Sequence, residues 1–464
     1  LEGKKVDAAY QFAKHFVNTK FEDLPAEVVE VTKKEILDLL GVMAGGFNER
    51  GVKELLEIIT DWGGKEESTI LGTDRKVPAP NAAHLNATMA HALDYDDVHE
   101  FAVMHPGITV IPTLMAMGER KGRLSGKELI TGAALGVDLM CRLALATTPG
   151  SSPIKTGWHL TTLFGFLGAA ISAGKILELD EETLVNAMGI AYHQCSGNGQ
   201  CVKDGALTKR LGPGFAVRGG ILSALMAEKG VTGAKNSLEG EIGLYRLYMG
   251  GNYDSKILTE DLGKSYEGIN VAIKPYPCCR GIHPAIDAAL AVTNENNLTP
   301  ENIQKIKLFV SEEHYSLLCS PLDAKRKPRN TVDAQFSIPW GVATAIVKKQ
   351  AFLEDFSEKA VNADMILDIT ARMDVEIDNT LKRSEKVDPT RVEITTKEEK
   401  VYSKKVEDPL GSLQRPMSFD DCGKKFRDCA RLLNEDQINR AIDGIERLEK
   451  VKDISEIIGF MRIK

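Results

Sequence analysis

Through roughly its first 265 residues the sequence places apolar side chains at helical intervals and almost never alternates them at period two. Packed helices are the fold such a pattern specifies. Val28, Ile36, Leu40 and Met43 keep the helical interval over 24–46, with Pro25 in the first turn and Gly45-Gly46 at the end, the usual start and stop residues. Further helices are predicted over 6–17, 52–62, 80–93, 108–121, 126–145, 160–178, 184–192 and 215–230, with one short strand at 68–71. The pattern changes after about residue 268. Strands are predicted at 270–274, 306–310 and 392–396, with helices at 285–294, 336–348 and 363–373 among them. Strand alternating with helix builds an α/β layer. Helical periodicity returns beyond Leu410-Gly411, at 422–433 and 436–448. The expected fold is therefore mainly α: a large all-helical domain from both chain ends (1–268 and 408–464), interrupted by a smaller α/β domain (269–407).

The totals exclude several function classes. Of 464 residues, 43% are hydrophobic and 27% charged, enough apolar side chain for a sizeable core. Lys and Arg number 58 against 66 Asp and Glu, a net charge of −8, so the basic footprint of nucleic-acid or anionic-lipid binding is missing. The longest stretch without a charged residue, Thr156–Gly174, contains His159, threonines and several glycines; it reads as a buried helix rather than a membrane span. None of the eight cysteines forms a Cys-x-x-Cys pair, and the opening Leu1-Glu-Gly-Lys-Lys has no apolar h-region. Reduced thiols in a cytoplasmic protein are expected.

Chemistry concentrates in five polar clusters. The first runs from His91 to Gly107 and packs three histidines, three aspartates and a glutamate into seventeen residues. Imidazole changes protonation near neutral pH, and a neighbouring carboxylate fixes its tautomer and raises its basicity. The cluster suits acid/base work by His105 or His99 with an aspartate orienting it, or a metal held by Asp94, Asp96, His99 and His105, or simply a polar cap with satisfied histidines. No His-Glu-x-x-His pattern and no cysteine pair supports zinc. The second, Gly157-Trp158-His159-Leu160-Thr161-Thr162, opens the small-residue helix, where the helix terminus favours anions and a neutral imidazole. The third runs from Ser196 to Gly214 and holds Lys209-Arg210 among glycines. It reads as a carboxylate cradle or a solvated loop, without a nucleotide motif. The fourth, Lys274-Pro-Tyr276-Pro-Cys278-Cys279-Arg280-Gly-Ile-His283, lies at the suspected domain boundary. The fifth, Asp333-Ala-Gln335-Phe336-Ser-Ile-Pro339-Trp340, reads either as the start of a core helix or as Gln335 and Trp340 closing a cleft expected at that boundary.

In this order the clusters resemble the MmgE/PrpD family of 2-methylcitrate dehydratases, cis-aconitate decarboxylases and iminodisuccinate epimerases. The resemblance covers nearly the whole chain, from Leu24-Pro-Ala-Glu-Val-Val and Leu37-Asp38-Leu-Leu-Gly41 to Lys425-Phe-Arg-Asp-Cys-Ala430. It implies a helical domain with an inserted α/β lid, a homodimer, and lyases or isomerases of di- and tricarboxylates that need no metal or organic cofactor. By position, Asp94, His105, His159, Lys209 and Lys274 match the family's active-site residues, and Trp340 falls where the decarboxylases carry a pocket tyrosine. The expected mechanism has His105 or His159 taking a Cα proton and the other donating one. Asp94 orients a histidine, while Lys209, Lys274 and Arg280 neutralise substrate carboxylates.

The expected substrate is a small polycarboxylate and the leading reaction is dehydration of a 2-methylcitrate-like hydroxy acid. Decarboxylation of a cis-aconitate-like acid, epimerisation of an iminodisuccinate-like acid, and carboxylate binding without catalysis are the alternatives. Val98 and Gly107 stand where the dehydratases and the decarboxylase carry hydroxyl residues, which points away from methylcitrate and aconitate themselves.

Overall fold

In a computed structural model, residues 6–147, 157–204, 206–383 and 387–463 are described. The opening Leu1–Lys5 and Thr156 of the uncharged stretch lie outside them. The chain divides into two compact units, Leu1–Val271 with Phe419–Lys464, and Ala272–Ser418. The fold is mainly α with a small α/β part, as the periodicity predicts.

The first unit is built from α1 (Ala8–Asn18), α2 (Ala26–Gly46), α3 (Val52–Trp62), α4 (Ala79–His91), α5 (Gly107–Lys121), α6 (Gly126–Leu145), α7 (Leu160–Ile176), α8 (Glu181–Gln194) and α9 (Thr208–Glu228). Local sequence sets their ends. Asp7 and Asp180 accept backbone N–H groups as N-caps of α1 and α8, and Ser125 and Glu128 form a reciprocal capping box on α6. Helix α7 is buried along almost its entire length and packs against α5, α6, α8 and α9. Its glycines permit this. A Cβ on Gly168 would sit 2.5 Å from Met140 Sδ, and one on Gly165 2.8 Å from Thr109. The small strand predicted at 68–71 is a two-residue ladder, Ser68–Thr69 against Lys76–Val77.

Helix α9 begins seven residues earlier than its apolar period suggests. Thr208–Gly214, predicted as a glycine loop, is its first two turns. The glycines serve contact: a Cβ on Gly212 would meet Thr162 Oγ1 at 2.4 Å, and one on Gly214 would meet His84 at 2.4 Å.

The second unit holds a four-stranded mixed sheet in the order β2-β1-β3-β4, with β1 (Ile303–Val310), β2 (Met373–Ile377), β3 (Thr390–Thr396) and β4 (Val401–Val406). The β1–β2 pair is parallel, with Ile306 opposite Met373. The β1–β3 and β3–β4 pairs are antiparallel. Strands β2 and β4 differ from the expectation for separate reasons: β2, Met-Asp-Val-Glu-Ile, alternates but is only five residues and follows directly on the helix predicted at 363–373, and β4, Val-Tyr-Ser-Lys-Lys-Val, breaks the period with adjacent polar residues. Helix α10 (His283–Glu295) packs on β3, β4 and α11 (Ile338–Lys348). The predicted strand at 270–274 shrinks to Val271–Ala272.

The C-terminal segment returns to the first unit with α12 (Phe419–Cys429) and α13 (Glu435–Glu446). Gly41 of α2 lies under Phe426, where a Cβ would stand 3.1 Å from its Cα. All eight cysteines carry free thiols. No helix among the described residues is long and apolar enough to cross a membrane.

Candidate active site

Helix α4 delivers His91 at its last position, and the chain then leaves helical geometry. Asp94 takes a positive φ of 53°, which aspartate tolerates better than bulkier side chains. The segment from Asp94 to Pro106 is no solvated cap. Tyr95, Asp96, Asp97 and His99 are all buried, and burial of that much charge requires partners.

The partners come from distant parts of the chain. Lys425 of α12 donates from Nζ to the Tyr95 carbonyl at 2.6 Å, pairs with Asp38 of α2 at 2.6 Å, and lies 4.0 Å over the Tyr95 ring. The two end segments that carry the sequence resemblance, at Asp38 and Lys425, thus meet beneath this loop. Gly107 N–H, at the start of α5, donates to Asp97 Oδ2 at 3.0 Å. His99 accepts from Ala102 N–H at Nδ1, so its Nε2–H faces Glu267 at 3.4 Å; its role is structural.

One carboxylate serves two histidines. Asp96 Oδ2 lies 2.9 Å from His91 Nδ1 and 3.0 Å from His105 Nδ1. His105 Nδ1 is also 2.5 Å from the Asp97 carbonyl. Both neighbours of His105 Nδ1 are acceptors, so the proton is assigned to Nδ1 and the basic lone pair to Nε2. The His105 backbone N–H donates to Thr161 Oγ1 at 3.0 Å, and His159, the N-cap residue of α7, places Nδ1 2.7 Å from Thr162 Oγ1. Adjacent threonines of α7 therefore brace both histidines. The His91 ring centroid is 5.0 Å from that of His105 and 6.0 Å from that of His159.

Lys209, in the first turn of α9, reaches Asp94 Oδ1 at 2.6 Å with both side chains about a quarter exposed. Its neighbour Arg210 turns away, to Glu49 and the Arg50 carbonyl. The carboxylate on His105 is thus Asp96, while Asp94 meets the lysine. The reading from sequence placed Asp94 on a histidine and gave Asp96 only a possible metal. Asp96 and the supporting Glu35, Asp38 and Lys425 were missed as functional residues. A signal existed for α2: Asp38 interrupts the apolar run Ile36–Met43, and Glu35 stands directly before it.

Charge within the cluster is unevenly distributed. Burial alone would raise the Asp96 carboxyl, but His105 and His91 carry it well below the usual range. Burial lowers His91 to about 4 despite Asp96. His159 falls well below its ordinary value through burial, then through His91, Lys209 and His105. His159 is neutral at pH 7, while Asp96 is ionised and aimed at His105.

His91, Asp96 and His105 also bring potential ligand atoms within 4.8 Å of one another, which among the described residues makes them the one set that could hold an ion. A proton on each Nδ1 accounts for the 2.9 and 3.0 Å separations.

Lys274, Arg280, Gln335 and Trp340 belong to the second unit. Lys274 is buried. Arg280 contacts His283 Nδ1 at 2.9 Å and donates to the Leu410 carbonyl at 3.0 Å. The Gln335 carbonyl accepts from Cys279 N–H. Trp340 has no exposed surface, packs in the unit's core, and donates its indole N–H to the Asp355 carbonyl.

Comparison with known proteins identifies the family. The chain is 26% identical to a cis-aconitate decarboxylase of Aspergillus terreus, over 96% of this chain and 94% of the relative. It is 25% identical to the cis-aconitate decarboxylases of Homo sapiens (97% and 94%) and Mus musculus (97% and 92%). Residues 10–256 match the model of the MmgE/PrpD N-terminal domain and residues 276–450 that of the C-terminal domain. From both ends of the sequence to the histidines between them, the chain belongs to the MmgE/PrpD family.

Proposed function

We propose that the protein is a lyase acting on a di- or tricarboxylate, with His105 as its proton carrier. The observation that carries this reading is the shared carboxylate: Asp96 holds His105 by Nδ1 and leaves Nε2 as the reacting nitrogen. An ionised, buried Asp96 stabilises the imidazolium whenever Nε2 takes a proton. Neutral His159 donates or accepts a hydrogen bond. Lys209 supplies the cation that a substrate carboxylate requires, releasing Asp94 as it does so.

The reaction we favour is decarboxylation of an unsaturated tricarboxylate such as cis-aconitate, supported by the names of the relatives. The bond to one carboxyl carbon breaks and CO2 leaves. Its electron pair forms a new double bond, and the former alkene carbon takes a proton from His105 Nε2, which solvent has first protonated to the imidazolium that Asp96 stabilises. Solvent then reprotonates the histidine, so the balance needs no oxidant and no cofactor. Dehydration of a hydroxy acid uses the same two groups, one abstracting a proton and one protonating the departing hydroxyl. The Gly107 position favours neither reaction, because a side chain there would point at the Asp97 carboxylate, 3.2 Å away. Lys274 enters as a carboxylate-binding residue on its place in the family pattern, as does assembly as a homodimer, and Arg280 and Gln335 enter on their sequence clusters.

Incubation with cis-aconitate and with 2-methylcitrate in D2O, followed by NMR, separates the outcomes. Decarboxylation gives CO2 and a product carrying one deuterium; dehydration gives a new alkene without CO2. His105→Asn is expected to lower turnover by about 100-fold or more with the fold intact by circular dichroism. Near-normal turnover in that variant would end the proposal.

A further inference from the structure

Behind the reacting histidine lies a pair of acids that the mechanism above does not use. Glu35, on α2, is 2% exposed and Asp97 is wholly buried. Their side chains are in hydrogen-bonding contact. Among the described residues, Glu35 Oε1 and Asp97 Oδ1 have no N–H or O–H partner. Two carboxylates cannot hydrogen-bond without a proton between them, and a buried polar oxygen left unmet is costly. Asp97 is fixed on its other sides. Its Oδ2 accepts the first N–H of α5, from Gly107, and its main-chain carbonyl lies 2.5 Å from His105 Nδ1.

We propose that Glu35 and Asp97 share one proton and act together as positioning residues that lock His105 in its Nδ1–H tautomer. The inference rests on His105 being the proton carrier. The chain of contacts runs from α2 through the Glu35 and Asp97 carboxyls to the Asp97 backbone, and from there to the imidazole. The shared proton removes one of two negative charges that would otherwise lie beside Asp96. The pair then carries one negative charge, and Asp96 remains the carboxylate in direct contact with His105 Nδ1. Burial first, and then the neighbouring charges of Asp97 and Asp38, push the Glu35 carboxyl well above its ordinary range. Burial and then Asp96 push Asp97 up to about 7. Both directions favour a retained proton. Neither acid reaches a reacting atom in this arrangement; they act through the backbone carbonyl that holds His105.

Amide replacements separate positioning from bulk. In Glu35→Gln an N–H replaces the shared proton and keeps the contact, while Asp97 becomes fully ionised. In Asp97→Asn the amide donates to Glu35 and its oxygen still accepts from Gly107. Glu35→Ala removes the contact.

The unliganded full-length protein at pH 7 should show an infrared carbonyl band of a buried protonated carboxyl. The band should disappear in both Glu35→Gln and Asp97→Asn. Nitrogen-15 spectra of labelled histidine should report His105 as Nδ1–H in the wild type and in Glu35→Gln, and as a tautomer mixture in Glu35→Ala. With cis-aconitate as probe, kcat should fall roughly tenfold in Glu35→Ala, with KM little changed, and return in Glu35→Gln. A wild-type spectrum lacking the band, or a band that survives both amide replacements, overturns the shared proton. An unchanged His105 tautomer in Glu35→Ala overturns the lock. If Glu35→Ala does not fold, the infrared comparison still decides. If no carboxylate is turned over, the functional reading fails while the two spectroscopic tests still judge the pair.

Discussion

At the scale of the residue, the site turns on which of two aspartates, two positions apart, faces the histidines. Residue type offered His105 or His99 for acid/base work and Lys209 for a carboxylate cradle, and the family resemblance singled out His105, His159 and Lys209; the structure brings them around His91. The assignment of carboxylates was not legible. Asp94 and Asp96 lie in an irregular segment with no period to say which side chain points inward, and the positive φ at Asp94 redirects the chain between them. The outcome gives Lys209 two alternative partners: Asp94 at rest and a substrate carboxylate during turnover. Lys209→Met keeps most of the stem packing but removes the charge. It is expected to raise KM for cis-aconitate by about tenfold or more while shifting the melting temperature little, because the pair is partly exposed and such pairs add about 1 kcal/mol or less. Steady-state kinetics with thermal melts check this; an unchanged KM would remove Lys209 from substrate binding.

At the scale of the element, the loop from Asp94 to Pro106 is a well-defined site because α2 and α12 hold it from behind. Helix periodicity predicted both helices, α12 a few residues out of place, yet not that they would meet. Contacts between residues some 390 positions apart leave no local signal. The one visible hint was charge inside otherwise apolar faces: Glu35 and Asp38 on α2 and Lys425 beside Phe426 on α12. The Asp38–Lys425 pair is almost completely buried. Its net contribution to stability is small, since desolvation offsets attraction, but removing one partner strands the other. Lys425→Met should therefore cost roughly 3–5 kcal/mol in chemical denaturation. Adding Asp38→Asn should recover part of that loss. Lys425→Met also releases the Tyr95 carbonyl, so activity falls more than stability in the double variant. Equal, small losses in the single variant would mean that Lys425 is not the anchor of the loop.

At the scale of the whole molecule, the mainly helical class and the presence of an α/β part were legible from one change of periodicity near residue 268. The mixed order of the sheet was not, because one of its strands is a five-residue run at the end of a predicted helix and another breaks alternation with adjacent lysines. The same burial of charge that builds the site also sets how global stability responds to pH. Burial, opposed by no counter-charge, lowers His84 from 6.5 to about 4. An unfolded chain therefore binds this proton first as pH falls. His84's contribution is fully present above about 6.5 and is lost progressively as pH drops toward 4. Asp138 behaves in the opposite sense. Burial outweighs Arg142 and raises it from 3.8 to about 6. Its contribution is fully present below 3.8 and is lost as pH rises through 6. Many other groups titrate in this window, but a difference between wild type and a single variant cancels them. His84→Gln, measured by urea denaturation at pH 7 and pH 4, should gain on the wild type as pH falls, by up to roughly 3 kcal/mol. Asp138→Asn should lose ground over the same interval, because the wild-type carboxyl gains stability by keeping its proton. Opposite slopes in the two difference curves are the expected result. Parallel slopes would show that burial of these groups does not govern the acid response, and that the exposed ion pairs do.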